Sequence, residues 1–135
     1  EELNLNSKAR GCENIMSISG VTQCEERIAT VGTSELAILK FGAAIDAGQF
    51  KDGSVKYLRI TNLDGSNTVE VRILGNSEEY FVKLEPKGSF VLTNSSMDAN
   101  ATGSQSVSLA NIDDIKVKAS AADTDVEIFV ATDNS

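Results

Sequence analysis

Few residues in this chain can do chemistry, and one type is missing altogether: there is no histidine. Without imidazole, the commonest general base and the usual nucleophile–base triads cannot be built. Cys12 and Cys24 therefore have no histidine beside them to draw off a thiol proton. Two cysteines without a C-x-x-C spacing also supply too few ligands for structural zinc. They read as two buried or half-buried thiols, with a short-loop disulfide as the alternative if the fold brings their Cα atoms close enough. Carboxylates occur as adjacent pairs, Glu25-Glu26, Glu78-Glu79 and Asp113-Asp114. A glycosidase needs two carboxylates, but neighbours on a strand point to opposite faces, so these pairs read as decoration of strand ends. Asp64-Gly65-Ser66-Asn67 and Asp123-Thr124-Asp125 offer oxygen ligands, yet neither follows the twelve-residue calcium loop of an EF-hand. "GTSELAILKFG" lacks the spacing and the Lys-Ser/Thr pair of a phosphate loop. The expectation is a chain with no catalytic residues, no metal ligands and no cofactor.

The elements that position these residues are strands. In "VKYLRITNLDGSNTVEVRIL" (Val55 to Leu74), Leu58 and Ile60 point one way while Tyr57 and Arg59 point the other. Past a polar centre, Val69, Val71 and Ile73 share a face, with Glu70 and Arg72 opposite. Such alternation marks half-buried strands, and Asp64 to Asn67 supply turn chemistry. The stretch reads as a hairpin in which Arg59 pairs across to Glu70. "EEYFVKLEPKGSFVLT" reads the same way around Pro86-Lys87-Gly88, with the glycine taking a positive φ. "IDDIKVKASAADTDVEIFVAT" forms a third such unit. "ENIMSIS", "ERIATV" and "ELAILKF" are shorter strand candidates, and "GAAIDAGQFKDGS" is a loop or linker. "TNSSMDANATGSQS" has no apolar period and reads as a long exposed loop. Its Asn-x-Ser/Thr triplets at Asn94 and Asn100 are what an Asn- and Ser-rich composition produces unaided. Eight or nine strands and no helix predict an all-β fold, an antiparallel β-sandwich of jelly-roll-like topology, with an immunoglobulin-like sandwich second for want of its Trp and Cys spacing.

Composition agrees with one domain. The chain has 135 residues, 41% of them hydrophobic, enough for a single core. No apolar run is long enough for a helical membrane span, and "EELNLNSKARG" holds no apolar signal core. A net charge of -8 repels phosphate backbones, so neither nucleic acid nor membrane is an expected partner. Residues 1-12 read as an extended N-terminal arm and 13-135 as a single β-sandwich domain. Tyr57 and Phe129 lie among polar alternates, which allows them an outward face, with cover by a second sheet layer as the alternative. Exposed aromatics there leave carbohydrate binding open as a function.

The strand-and-turn order resembles small virion structural proteins of tailed bacteriophages, notably marine ones. The likeness is carried by "YLRITNLD", by the "FVKLEPKGSF" turn and by the closing "DVEIFVAT". It runs from about Leu3 to Thr132. What the resemblance implies is a non-enzymatic capsid decoration, or cement, protein that binds the major capsid protein and stabilises the shell. It would be made in the host cytoplasm and reside on the capsid surface as a homo-oligomer or many-copy assembly. The arm would serve as the partner-binding element. Leu3 and Leu5 alternate with asparagines, as in a segment that adds a strand to another chain's sheet edge, and Lys8 and Arg10 bring basic charge to an acidic protein. A tail- or fibre-associated virion protein and a carbohydrate-binding host-recognition module are the alternatives.

Overall fold

Along Val55–Asn62, Val69–Gly75, Asp114–Ala119 and Thr124–Thr132 the chain is extended and the apolar side of each run is buried. A computed structural model describes residues 2–5, 8–11, 15–43, 49–75, 77–97 and 109–135, with the backbone alone for 2–5 and 8–11. Among these residues every regular element is a strand, thirteen in all. They are β1 (Glu2–Leu5), β2 (Lys8–Gly11), β3 (Gln23–Val31), β4 (Leu36–Gly42), β5 (Phe50–Lys51), β6 (Val55–Asn62) and β7 (Val69–Gly75). β8 (Glu78–Leu84), β9 (Ser89–Leu92), β10 (Ser96–Met97), β11 (Ala110–Asn111), β12 (Asp114–Ala119) and β13 (Thr124–Thr132) follow.

Two sheets face each other across one core. The first runs β5-β4-β12-β7-β8 and the second β3-β13-β6-β9, all neighbours antiparallel except the short β4–β5 pair. The chain is thus an all-β antiparallel sandwich. Eight of these strands are four residues or longer; ranked along the chain, they stand in the order 1-8-3-6 in one sheet and 2-7-4-5 in the other. Val69, Val71, Ile73, Ile115 and Val117 from the first sheet pack with Leu58, Ile60, Val126, Ile128 and Val130 from the second. Fully burying one such aliphatic side chain contributes about 1.5–3 kcal/mol.

The strand faces are as the sequence implies, but the pairings differ. β6 and β7 are not a hairpin; they lie in different sheets, and the loop 63–68 arches over the end of the core. The same holds for β8 with β9 and for β12 with β13. In each case the two apolar faces meet across the sandwich instead of lying side by side. Alternation records which face is buried, and both arrangements bury the same face. Among the described residues the one long hairpin between consecutive strands is β7–β8, closed between Gly75 and Glu78 with Ser77 at φ 65°. At the 85–88 turn the positive φ falls on Lys87 (63°), not on Gly88. There Gly88 serves close approach: a Cβ would stand 2.9 Å from the Glu85 carbonyl oxygen.

Asn62 fixes two of the arches together. It is fully buried at the end of β6. Its amide nitrogen donates to the carbonyls of Asn67 (2.8 Å) and Glu85 (3.2 Å), and its Oδ1 accepts from the Asp64 amide at 3.0 Å. One side chain thus satisfies backbone groups of the 63–68 and 85–88 loops.

The first third departs from its sequence reading. Residues 15–19 of the "ENIMSIS" segment form no strand, and Ile15 and Met16 are exposed; Glu13 and Asn14 lie outside the described residues. Cys24 is an exposed free thiol on β3 rather than a buried one, and Cys12 lies outside the described residues. Within the "GAAIDAGQFKDGS" loop, Phe50 is buried and stacks at a tilt on Phe41, 5.9 Å between centroids. Within the polar 93–106 stretch, Met97 is buried on β10, which pairs with β11; residues 98–106, including Asn100, lie outside the described residues.

Candidate functional site: the outer face of the four-stranded sheet

Strand alternation sends Tyr57, Arg59 and Thr61 of β6 to the side of the sheet away from the core. Register then brings specific partners beside them. Arg59 lies opposite Phe129 on β13 and Val91 on β9, and Thr61 lies opposite Glu127 and Ser89. These three strands are not consecutive in the chain, so the cluster exists only because the sheet order is β13-β6-β9.

The geometry is that of an open groove. Arg59 donates from Nη2 to Glu127 Oε1 at 2.6 Å, a charge-assisted bond at a partly exposed site. The Thr61 and Ser89 hydroxyls are 2.9 Å apart. Tyr57 and Phe129 meet edge to face, 5.8 Å between centroids at 74°, an arrangement the ring quadrupoles favour. The Arg59 guanidinium carbon is 6.0 Å from the Phe129 centroid, within cation–π range. Tyr57, Arg59, Thr61, Ser89, Val91 and Glu127 line a hollow of about 530 Å³. Arg59 Nε is buried and has no hydrogen-bond partner among the described residues.

The opposite outer face differs in one respect. Arg72 on β7 donates from Nε to Glu79 Oε2 at 2.7 Å and from Nη1 to Glu35 Oε2 at 2.9 Å, and it lies 5.7 Å over the Phe81 ring. The bond to Glu79, together with the charge of Glu35, holds its guanidinium charged above the ordinary range. Arg72 is occupied on each side by this chain's own groups; Arg59 keeps a donor free.

The residues singled out from sequence fall as follows. Leu3 stands opposite Arg10 and Leu5 opposite Lys8 in the β1–β2 ladder, so the fold brings all four into one short antiparallel pair; their side chains lie outside the described residues. Glu78-Glu79 opens β8 and Asp114 opens β12, but Glu25-Glu26 sits inside β3 and not at its end. Glu25 pairs with Arg27 at 2.9 Å and Glu79 with Arg72, so these carboxylates serve ion pairs. Among the described residues no three Cys, Asp or Glu side chains converge as a metal site. Asp64 is a turn residue: its Oδ1 accepts from the Ser66 and Asn67 amides, each at 2.6 Å. Those two backbone bonds hold its carboxyl below the ordinary Asp range. Tyr57 and Phe129 do face outward, as their neighbours in sequence imply. Thr61, Ser89, Val91 and Glu127 escaped sequence reading because only the non-local register joins them to the aromatic pair. No protein-family model matches this chain, and no curated protein matches it.

Proposed function

We propose that this chain is a non-enzymatic binding protein of a virus particle. In this reading it is a jelly-roll-like sandwich that attaches in many copies to a phage capsid and stabilises the shell. The observation that carries the reading is the arm. Among the described residues β1 and β2 pair with each other and belong to neither sheet of the sandwich. Such a ladder outside the core offers strand edges to a neighbouring subunit, where backbone bonds give affinity and alternate side chains give register. The strand order 1-8-3-6 facing 2-7-4-5 supports the jelly-roll-like topology, a frequent architecture of capsid domains. The resemblance of "YLRITNLD", "FVKLEPKGSF" and "DVEIFVAT" to phage virion proteins supplies the particle.

The mechanism is mass action. A protein that binds the assembled shell and not its free subunits stabilises the shell by its binding free energy. Many weak contacts on one particle then add up. The test is to add the purified chain to particles lacking it and measure shell loss on heating. The reading requires a higher disruption temperature with the full chain and a smaller gain with Leu3→Asp/Leu5→Asp. A chain that neither sediments with particles nor shifts that temperature would contradict it.

A further inference from the structure

We propose that the groove on the outer face of the four-stranded sheet is a saccharide-binding site for a neutral, hydroxyl-rich sugar ring. The proposal stands on the isolated domain and is independent of any role on a particle. A pyranose has apolar C–H faces and a rim of hydroxyls. A site for it needs an aromatic surface and, a few ångströms away, donors and acceptors not already consumed. The Tyr57 ring supplies the surface. It packs against the Phe129 ring at 74°, so little conformational freedom is lost when a sugar stacks against it.

The polar groups are of the required kinds. The Thr61 and Ser89 hydroxyls, 2.9 Å apart, can each donate or accept. Glu127 has one oxygen on Arg59 and accepts with the other. The Arg59 side chain is 39% exposed and lines the groove, and its buried Nε has no partner among the described residues, which leaves its donors incompletely satisfied. Carboxylate, guanidinium and hydroxyls over a short span match the vicinal hydroxyls of a sugar.

Charge selects the class. The groove holds one Arg and one Glu, paired with each other, so its own charge is balanced. The chain around it carries -8, which disfavours sialylated, uronic or phosphorylated glycans at low salt. A neutral hexose or N-acetylhexosamine is left. The groove is open rather than enclosed, so a single ring is bound weakly, and clustering of copies provides useful avidity.

The test is an amide NMR titration of the full chain with methyl glucoside, methyl galactoside, methyl mannoside and N-acetylglucosamine. Glucuronate and sialic acid serve as the anionic comparison. The expected result is a saturable shift with at least one neutral sugar, centred on Tyr57, Arg59, Thr61, Ser89 and Val91. Tyr57→Ala should weaken that affinity on the order of tenfold while keeping the dispersed spectrum of the fold. Thr61→Val should weaken it without touching the aromatic pair, and Lys118→Ala on the opposite face should leave it unchanged. Absence of saturable shifts with every neutral sugar would overturn the proposal. So would an unchanged affinity in folded Tyr57→Ala, or tighter binding of the anionic sugars.

Discussion

Arg59 and Glu70 stand on opposite outer faces of the sandwich, and each is paired elsewhere. Arg59 donates to Glu127 across the β6–β13 ladder at 2.6 Å, while Glu70 lies 3.8 Å from Lys118 across β7–β12. Sequence spacing alone sets Arg59 against Glu70 in a hairpin. Sheet topology separates them by the thickness of the core, with Leu58 and Ile60 under one residue and Val69 and Val71 under the other.

A pair of double-mutant cycles reads this difference. Arg59→Ala with Glu127→Ala should show a coupling of about 0.2–1 kcal/mol, the range of partly exposed ion pairs after solvent screening. Arg59→Ala with Glu70→Ala should be additive within about 0.5 kcal/mol. Urea denaturation of the six chains measures both. Coupling in the second cycle and none in the first would restore the hairpin.

The alternation of inward and outward residues has an equally direct consequence. Ile128 is 1% exposed on the central strand β13, and Ile28 is 62% exposed on the neighbouring edge strand β3. Ile128→Ala should cost about 2–5 kcal/mol through lost burial and a residual cavity. Ile28→Ala should change stability by about 0.5 kcal/mol or less. Equal costs at the two sites would mean that the faces are assigned wrongly.

Asn62 gives a test specific to the arched topology. Asn62→Ala removes the partners of the Asp64 amide and of the Asn67 and Glu85 carbonyls together. A cost of about 1–3 kcal/mol is expected, since buried backbone groups are left unsatisfied. Hydrogen exchange should quicken in both the 63–68 and 85–88 loops. Acceleration confined to one loop would show that the side chain does not bridge them.

Asp64 sets a pH dependence whose sign is fixed. Its carboxyl is held below the ordinary Asp value of 3.8 by the Ser66 and Asn67 amides. A carboxylate depressed in the folded state stabilises it above the unfolded pKa, and that contribution is lost as pH falls through the folded pKa. The stability difference between the wild-type chain and Asp64→Ala should therefore be constant near neutral pH and shrink in acid, below about pH 4. A difference that grows on acidification would contradict the assignment.

These predictions also mark what the sequence carries and what it does not. Period-two spacing identifies β6, β7, β8, β12 and β13 and the buried side of each, because the pleat forces successive side chains to opposite faces. It does not identify partners, since Val71 is buried equally well by a neighbour in its own sheet or by Ile60 from the facing one. The tight β7–β8 connection between Gly75 and Glu78 carries no sequence signal as conspicuous as the "DGSN" and "PKG" turns. Phe50 and Met97 are buried although they lie in polar, aperiodic stretches, because isolated apolar residues give no period to read. At the candidate site, Tyr57 and Phe129 were legible as outward aromatics within their own strands. Their polar complement from β9 and β13 was not, being assembled by contacts between distant segments.

The measurement that tests the central claim most directly is the abundance of this chain in purified phage particles, by quantitative mass spectrometry against the major capsid protein. A shell-stabilising role requires abundance comparable with that of the capsid subunit. A few copies per particle would move the chain to the tail, and absence from particles would contradict the virion reading altogether, leaving the sandwich and its groove to be explained by a different partner.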